Sequence, residues 1–229
     1  MIEKAPKYEE ALKVTNSKKV LQALSKLEGV SNFSTLEKET GLKAGLLLHH
    51  LNRLRSLGIV ETEVKGTYRL RFSTPLCYVF GAKGIEYAYV GLLGRKGSYS
   101  EPEPEVALSL LSDLKISPIL VYVLTSPEAL GDWKSEKLGY QWILCYGEEI
   151  VDIDEIQKKL VPQLTTLLKN YSVIIDCTSS TKPATIAYYE IAQRFLIPCI
   201  YVSEEKRTLR WLISKEMIKT KLGLLQNKL

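Results

Sequence analysis

Five short, continuously apolar segments recur in the C-terminal two thirds of the sequence, and they constrain the fold more than any other feature. They span residues 87–93, 119–124, 141–146, 172–177 and 198–202. A loop and a stretch of helical pattern follow each of the first four. Strands that are apolar on both faces and alternate with helices are typical of a parallel sheet covered on both sides. The sequence therefore predicts an α/β domain with a Rossmann-like, mostly parallel sheet, which residues 208–213 extend as an antiparallel edge strand.

The first third of the chain has a different pattern, that of short helices followed by a hairpin. Helices are predicted over residues 17–27, 34–40 and 43–57, and Gly41 and Gly58 are expected to end the last two. Residues 59–72 alternate between apolar and polar side chains and turn at Lys65-Gly66. Two helices joined by a tight turn and followed by a hairpin predict a winged helix-turn-helix.

Several helix ends and helix faces are also predicted. Ser17, Ser34 and Ser100 are expected to cap helices, the last two in capping boxes with Glu37 and Glu103. In the helix over residues 43–57, Ala44, Leu47, Leu51 and Leu54 are expected to face the core. In the C-terminal part, Val106, Leu110 and Leu114 are expected to form one buried stripe, and Ile156, Leu160, Leu164 and Leu167 another. Pro162 predicts a kink or break in that second helix. A final helix is predicted over about residues 214–227.

Charge divides the chain at the same place as the pattern. Residues 1–75 contain 13 Lys and Arg against 8 Asp and Glu, whereas residues 76–229 contain 18 of each. A basic segment beside a neutral one favours a polyanion-binding module attached to a second domain. We therefore expect a DNA-binding domain over residues 1–75 and a ligand-sensing and dimerisation domain over residues 76–229.

The segment GLKAGLLLHHLNRLRSLGIVE resembles the recognition-helix segment of ArsR-type winged-helix repressors, and the resemblance extends over about residues 17–73. It implies double-stranded DNA as a partner. The candidate DNA-contacting residues are Lys43, Gly45, His49, Asn52 and Arg53 on the second helix, and Lys65, Arg69 and Arg71 in the wing. This chain has Ala44, Gly45, Leu46 and Leu48 where family members usually have Ser, Thr or Gln at the start of the helix. The alternative is a winged helix used for dimerisation or protein contact.

Polar loops follow the predicted strands of the second domain, at the edge where open parallel sheets bind ligands. The candidate ligand-binding residues are Gly94, Arg95, Lys96, Gly97, Ser98, Thr125, Ser126, Gly147, Thr178, Ser179, Ser180, Thr181 and Lys182. The last five precede Pro183, which fits the first position of a helix. Hydroxyls and a lysine at a helix N-terminus predict a site for a phosphate-bearing ligand. The spacing of Gly91, Gly94 and Gly97 is not a dinucleotide-binding fingerprint, and the sequence contains no P-loop.

The run DCTSSTK at residues 176–182 resembles the D-x-[ST]-G-G-T-K signature of the CRISPR-associated Rossmann-fold (CARF) family, with Ser179 and Ser180 in place of the glycine pair. The resemblance covers about residues 85–203, and it identifies the loop Gly94–Ser100 with the family's other ligand motif. It implies a homodimer that binds cyclic oligoadenylate across its two-fold axis, with cyclic tetra-adenylate as the expected ring.

Three functions follow from these observations. The first is a transcription regulator that binds cyclic oligoadenylate in its C-terminal domain and DNA through its winged helix. The second is a metal-independent ring nuclease that cleaves the same ligand, with Lys182, Lys96, Arg95 and Ser180 as candidate catalytic residues. The third is a generic small-molecule-responsive regulator. Because no histidine follows His50, Ser-His-Asp catalysis in the C-terminal domain is excluded.

No metal or cofactor is expected. The cysteines, Cys77, Cys145, Cys177 and Cys199, form no C-x-x-C pair and lie far in sequence from both histidines, which argues for reduced, buried thiols. No apolar run reaches the roughly 18 residues of a membrane span. The charged residues 1–10 do not have the pattern of a signal peptide. We therefore expect a cytoplasmic protein without a membrane partner.

Overall fold

The computed structural model describes residues 5–98, 100–133 and 139–225. The chain forms two compact units. One comprises Glu86–Leu167 and Val173–Ser214, and the other comprises the chain up to Ile85, Leu168–Ser172 and the segment from Lys215 onward. The expected domain boundary after residue 75 stays a prediction. No helix in the described ranges is both long enough and apolar enough to cross a membrane.

The unit that contains the N-terminal segment is a winged helix-turn-helix, as predicted. Its elements are α1 (Tyr8–Leu12), α2 (Thr15–Lys26), β1 (Val30–Asn32), α3 (Phe33–Thr40), α4 (Ala44–Ser56), β2 (Val60–Val64), β3 (Thr67–Leu70) and α5 (Leu76–Phe80), and the later α10 (Lys215–Lys221) also belongs to it. The three strands form an antiparallel wing in the order β1-β3-β2. Strand β1 was not predicted, because three residues are too few to show an alternating pattern.

The turn between α3 and α4 is made by Gly41, whose φ of 65° is the left-handed conformation expected there. On α4, Leu47, Leu51 and Leu54 are fully buried, which agrees with the predicted stripe. The first member of that stripe, Ala44, is exposed because it lies at the start of the helix, beyond the packed turns.

The three predicted serine caps are wrong. Helix α2 begins at Thr15, so Ser17 lies inside it, where its Oγ is 3.0 Å from Nδ1 of the buried His50. Helix α3 is capped by Asn32, whose Oδ1 accepts hydrogen bonds of 2.8 Å from the Thr35 N–H and of 2.8 Å from the Ser34 hydroxyl. A carboxamide on the residue immediately before the helix offers the better-placed acceptor. Helix α6 begins at Glu103, three residues after the expected cap at Ser100, and its N-cap position is Pro102.

The second unit is built around a six-stranded sheet of order β6-β5-β4-β7-β8-β9. The strands are β4 (Tyr87–Leu92), β5 (Pro118–Thr125), β6 (Gln141–Leu144), β7 (Ser172–Asp176), β8 (Cys199–Ser203) and β9 (Thr208–Ile213). The pairs β4–β5, β5–β6 and β7–β8 are parallel, and β9 pairs antiparallel with β8. The predicted Rossmann-like fold class and the predicted edge strand are both confirmed.

In the part of the chain that the structure describes, four helices and one short 3-10 helix (Gly147–Val151) connect these strands. The helices are α6 (Glu103–Asp113), α7 (Pro127–Trp133), α8 (Ile153–Asn170) and α9 (Lys182–Phe195). In the sheet, β5 lies beside β4 on one side, whereas β8 lies beside β7 on the opposite side, so the connections from β4 and from β7 run in opposite directions. The carboxyl ends of β4 and β7 therefore form the topological switch point, where doubly wound folds bind ligands.

Three helix predictions in this part of the chain need correction. Leu111 takes the buried position on α6, and Leu114, after the helix, is 51% exposed. Helix α8 continues through Pro162 without a break, with its predicted stripe buried. Helix α9 begins at Lys182, so Pro183 occupies the second helical position.

The final helix, α10, is shorter than predicted. It ends at Lys221, and Gly223 follows with a φ of 66°, a conformation that terminates helices. The last two residues of the predicted span, 226 and 227, lie outside the described part of the chain.

Candidate functional site

A cavity of about 730 Å³ lies at the switch point, at the carboxyl ends of the central strands. Of the residues predicted to bind ligand, Gly94, Arg95, Ser126, Thr178, Ser179, Ser180 and Thr181 line it. The others, Lys96, Gly97, Ser98, Thr125, Gly147 and Lys182, are not among the lining residues. The two loops that the sequence singled out, after β4 and after β7, therefore meet at one cavity.

The two loops touch at Gly94 and Ser179. The Gly94 N–H donates a hydrogen bond of 2.8 Å to the Ser179 Oγ. A Cβ atom at Gly94 would lie 2.9 Å from that Oγ and 3.0 Å from the backbone nitrogen of Ser180. The Gly94 carbonyl accepts a hydrogen bond of 2.9 Å from the Trp133 indole. This close approach requires glycine at position 94.

Beneath the loops, a buried carboxylate organises the end of β7. Asp176 is 1% exposed and accepts hydrogen bonds from the Tyr89 hydroxyl at 2.6 Å, from the Thr178 N–H at 2.9 Å and from the Thr178 hydroxyl. The Thr178 oxygen in turn accepts from the Val202 N–H at 2.8 Å. Burial raises the pKa of Asp176 to about 6, and the hydrogen bonds oppose that rise. The network fixes the loop after β7 to both neighbouring strands.

Ser180 has a φ of +77°, a conformation that L residues adopt only under strain. The signature that this segment resembles has glycine at this position, and the backbone conformation supplies the physical reason. The Ser179 hydroxyl is buried and engaged with Gly94, whereas the Ser180 hydroxyl has no hydrogen-bond partner among the described residues. Among the described serines that line the cavity, Ser180 is therefore the one whose hydroxyl makes no hydrogen bond to a described residue, whereas Ser126 and Ser203 accept from backbone N–H groups.

Helix α9 begins directly after this loop. Thr181 is its N-cap: the hydroxyl oxygen accepts from the Ala184 N–H at 3.3 Å and donates to the Ile150 carbonyl at 2.6 Å. The positive end of the helix macrodipole is thereby directed toward the cavity-lining loop. Lys182, the first helical residue, is exposed.

The loop after β4 is held by α7. The Arg95 guanidinium pairs with both carboxylate oxygens of Asp132, and the Lys96 N–H donates to the same side chain at 3.3 Å. The Lys96 ammonium lies 5.2 Å from the centre of the Trp133 ring. Hydrogen bonding and the charge of Arg95 hold the pKa of Asp132 below its usual value. Tyr99, within the predicted loop, lies outside the described residues.

The cavity also contains acidic residues that the sequence analysis did not assign to it. Glu103, Glu128, Glu204 and Glu205 line it. Burial, with the nearby charges of Glu103 and Asp176, raises the pKa of Glu204 to about 7. Nothing in the sequence distinguished Glu204 from other surface glutamates, because it follows a strand end that showed no motif.

The candidate DNA-contacting residues fall into two groups. Lys43, Gly45, His49, Asn52 and Lys65 are exposed. Arg53, Arg69 and Arg71 are half-buried and face carboxylates, with N–O distances of 3.9 Å to Glu10, 3.1 Å to Glu63 and 3.7 Å to Glu61. Arg55 on α4 is also exposed but was not among the predicted DNA-contacting residues, because its helical spacing did not place it in the predicted solvent-facing arc.

Metal binding finds no support in the side-chain arrangement. Within the described ranges, no group of three or more His, Cys, Asp and Glu side chains is arranged to hold a metal ion. All four cysteines are buried and free, and the sulfurs of Cys177 and Cys199 lie 3.2 Å apart.

Solved structures with a related arrangement cover part of this chain. Can2 from Sulfobacillus thermosulfidooxidans, solved in complex with cyclic tetra-adenylate, is 16% identical over 56% of this chain, with a TM-score of 0.39. Protein VC1899 from Vibrio cholerae is 12% identical over 56%, with a TM-score of 0.42. Csm6 from Enterococcus italicus, bound to cyclic hexa-2′-fluoro-hexa-dAMP, is 13% identical over 62%, with a TM-score of 0.38. The alignments cover 35%, 34% and 39% of those chains.

Among curated proteins, none matches this sequence. The N-terminal segment does match a family model, that of the bacterial regulatory proteins of the arsR family, over residues 18–62. The match spans α2, α3, α4 and the start of the wing. Residues 18–62 are therefore an arsR-family helix-turn-helix.

Proposed function

We propose that this protein is a transcription regulator whose C-terminal unit binds cyclic oligoadenylate and whose winged helix binds double-stranded DNA. The observation on which the ligand assignment depends is the contact between Gly94 and Ser179 at the switch-point cavity. It joins the two loops that resemble the CARF ligand motifs. A helix N-terminus, the free Ser180 hydroxyl and backbone groups at that contact suit a phosphate.

The charges at the cavity indicate how such a ligand would lie. Four glutamates and Arg95 are the acidic and basic side chains among its described lining residues. Phosphates would be repelled by the glutamates, so they would face the start of α9 and the loop after β4, where Lys96 and Lys182 are exposed nearby. The nucleosides would then face the glutamates, which accept hydrogen bonds.

We propose a homodimer, with cyclic tetra-adenylate as the ligand. A ring with two-fold symmetry fits a site formed by two copies of the same cavity, and winged helices commonly bind paired half-sites. The volume of the cavity, about 730 Å³, lies within the range of small-molecule sites, roughly 300–1,000 Å³. In the proposed homodimer, each of the two cavities would hold part of the ring.

The experiment that tests the ligand assignment incubates the purified protein with cyclic tri-, tetra- and hexa-adenylate and separates the products by chromatography. Retention of the tetra-adenylate ring without cleavage supports the proposal. Linear products would favour a ring nuclease, and no retention of any ring would favour a generic sensor. Lys182→Ala is expected to weaken binding by about tenfold to several hundredfold if both copies contact one ligand.

DNA binding is tested separately, by mobility shift at several salt concentrations. Affinity is expected to fall steeply with salt because phosphate neutralisation supplies most of it. Arg55→Ala and Lys65→Ala should lower affinity for all sequences, since both side chains are exposed and have no ion-pair partner among the described residues. Lys206→Ala, in the other unit, is the matched control. Equal losses in all three variants would contradict the assignment.

A further inference from the structure

Glu103 is an anomaly in the cavity. It is 8% exposed, and its Oε2 is buried without a hydrogen-bond donor among the described residues. A buried carboxylate oxygen without a partner costs free energy, because it loses its hydration and gains nothing in return. Because Glu103 itself lines the cavity, a rotation of its carboxylate would let a bound ligand supply the missing donor.

The surroundings of Glu103 decide which kind of donor fits. It is the first residue of α6, which packs against β8 and β9. From β8, the apolar Val202 and the 45% exposed aromatic ring of Tyr201 line the same cavity. These apolar and aromatic side chains, beside the buried carboxylate of Glu103 and near Glu204, suit a flat nucleobase that bears an amino group. A phosphate would be repelled there, and a ribose has no flat face for the wall.

We propose that Oε2 of Glu103 accepts a hydrogen bond from the exocyclic amino group of an adenine bound in this cavity. This inference rests on the proposed cyclic oligoadenylate ligand and adds the origin of its base specificity. A site built to accept from an N–H group rejects an analogue that lacks it, because the acceptor is left unpaired. Hypoxanthine has a carbonyl oxygen in place of the amino group, so Glu103 would repel it.

The test measures the Kd of the full-length wild-type protein and of Glu103→Gln for three rings by calorimetry. The rings are cyclic tetra-adenylate, its inosine counterpart and its 2′-fluoro counterpart. Wild type is expected to bind the adenine ring at least about tenfold more tightly than the inosine ring. In Glu103→Gln this preference should disappear, because the carboxamide can donate to the hypoxanthine oxygen. Glu205→Gln, which removes the same charge from an exposed position in the cavity, should keep the preference.

Each other outcome overturns the inference. An unchanged preference in Glu103→Gln shows that Glu103 does not read the base. Equal gains for all rings in Glu103→Gln and Glu205→Gln show that both carboxylates only repel phosphates. If Glu103→Gln instead changes discrimination against the 2′-fluoro ring, the carboxylate reads the ribose. Wild-type protein that binds none of the rings overturns the proposed ligand class as well, which distinguishes that failure from the others.

Discussion

The Tyr89 hydroxyl donates a hydrogen bond of 2.6 Å to Oδ2 of Asp176, and this bond joins β4 and β7 beneath the loops that follow these two strands. Tyr89 is itself fully buried. A Cβ atom at Gly91 would lie 2.5 Å from the Tyr89 ring, so glycine at 91 makes room for the tyrosine. Gly91 therefore allows Tyr89 to reach Asp176, and that bond in turn stabilises the start of the loop after β7.

Tyr89→Phe should lower the stability of the protein and raise the pKa of Asp176. Removing the hydroxyl leaves a buried carboxylate with one donor fewer, at a cost of about 1–3 kcal/mol. The pKa of Asp176, about 6 in the wild type, should rise further because a bond that stabilises its ionised form is lost. Thermal unfolding and the titration of the Asp176 carboxyl by NMR measure the two effects. A control is Tyr122→Phe, on the neighbouring strand, and equal losses in both variants would contradict this role.

Gly94→Ala should impair ligand binding more than stability. The new Cβ would lie 2.9 Å from the Ser179 Oγ and 3.0 Å from the Ser180 nitrogen, so both groups would have to move away from position 94. We expect a loss of affinity of at least about tenfold, since a steric clash of this kind costs about 1–3 kcal/mol. Gly131→Ala is the control, because a Cβ there meets no described atom within 4 Å. Calorimetry with cyclic tetra-adenylate compares the two, and a normal Kd for Gly94→Ala would disprove the loop contact.

Ser180→Gly should stabilise the protein. A φ of +77° costs a non-glycine residue about 1–2 kcal/mol, and glycine recovers this less its greater entropy in the unfolded chain. A net gain of about 0.5–1 kcal/mol corresponds to a rise in Tm of about 1–4 °C for a chain of this size. Ser109→Gly, inside α6, should lower the Tm instead. A lower Tm for Ser180→Gly would show that the serine hydroxyl contributes more than the strain costs.

Glu204 should make stability depend on pH between about 4.5 and 7. Its pKa is raised to about 7 by burial and by Glu103 and Asp176, so the folded state binds its proton more tightly than the unfolded state does. The stability that this provides is complete below pH 4.5 and is lost as the pH rises through 7. Glu204→Gln should therefore raise the Tm at pH 8 by about 1–3 °C, because solvent screening limits the effect to about 1 kcal/mol.

The measurement is a series of thermal unfolding curves from pH 5 to 8. The difference between Glu204→Gln and wild type should shrink toward pH 5, where the wild-type carboxyl is protonated. Glu205→Gln, next to it and exposed, is expected to follow the wild-type curve. A constant difference at all pH values would contradict the assignment.

Leu46 and Leu48 should contribute to DNA sequence preference. They are 42% and 44% exposed on α4, in the segment that matches the arsR family. In the major groove, apolar side chains contact the 5-methyl group of thymine. In a DNA site selected by the wild-type protein, replacing thymine with uracil should lower affinity about threefold to tenfold. The double variant Leu46→Ser and Leu48→Ser should be insensitive to that change, whereas Leu114→Ser, in the other unit, should respond like wild type. Equal sensitivity in all three proteins would exclude contact with the methyl groups.

The sheet could be predicted from the sequence because its strands are apolar on both faces, which leaves continuous runs. The position of polar loops after the strands also identified the two loops that meet at the cavity, after β4 and after β7. What could not be predicted depends on contacts distant in sequence. The ion pairs of Arg69 and Arg71 arise from the register between β2 and β3, and the acidic side of the cavity from the packing of α6 against β8. The predicted helix caps were wrong because several polar residues near a helix start compete for the capping position, as Asn32 and Ser34 do.

The winged-helix unit is completed by segments that follow it late in the chain. The Ser73 N–H donates a hydrogen bond of 2.6 Å to the Leu168 carbonyl, and the Ser73 hydroxyl donates one of 2.8 Å to the Lys169 carbonyl. The Thr74 hydroxyl donates to the Tyr171 carbonyl at 2.9 Å. During synthesis at about 5–20 residues per second, those carbonyls leave the ribosome on the order of ten seconds after residue 75. The nascent winged-helix unit therefore waits, with these groups still hydrated, until at least β4, β5 and β6 have been translated.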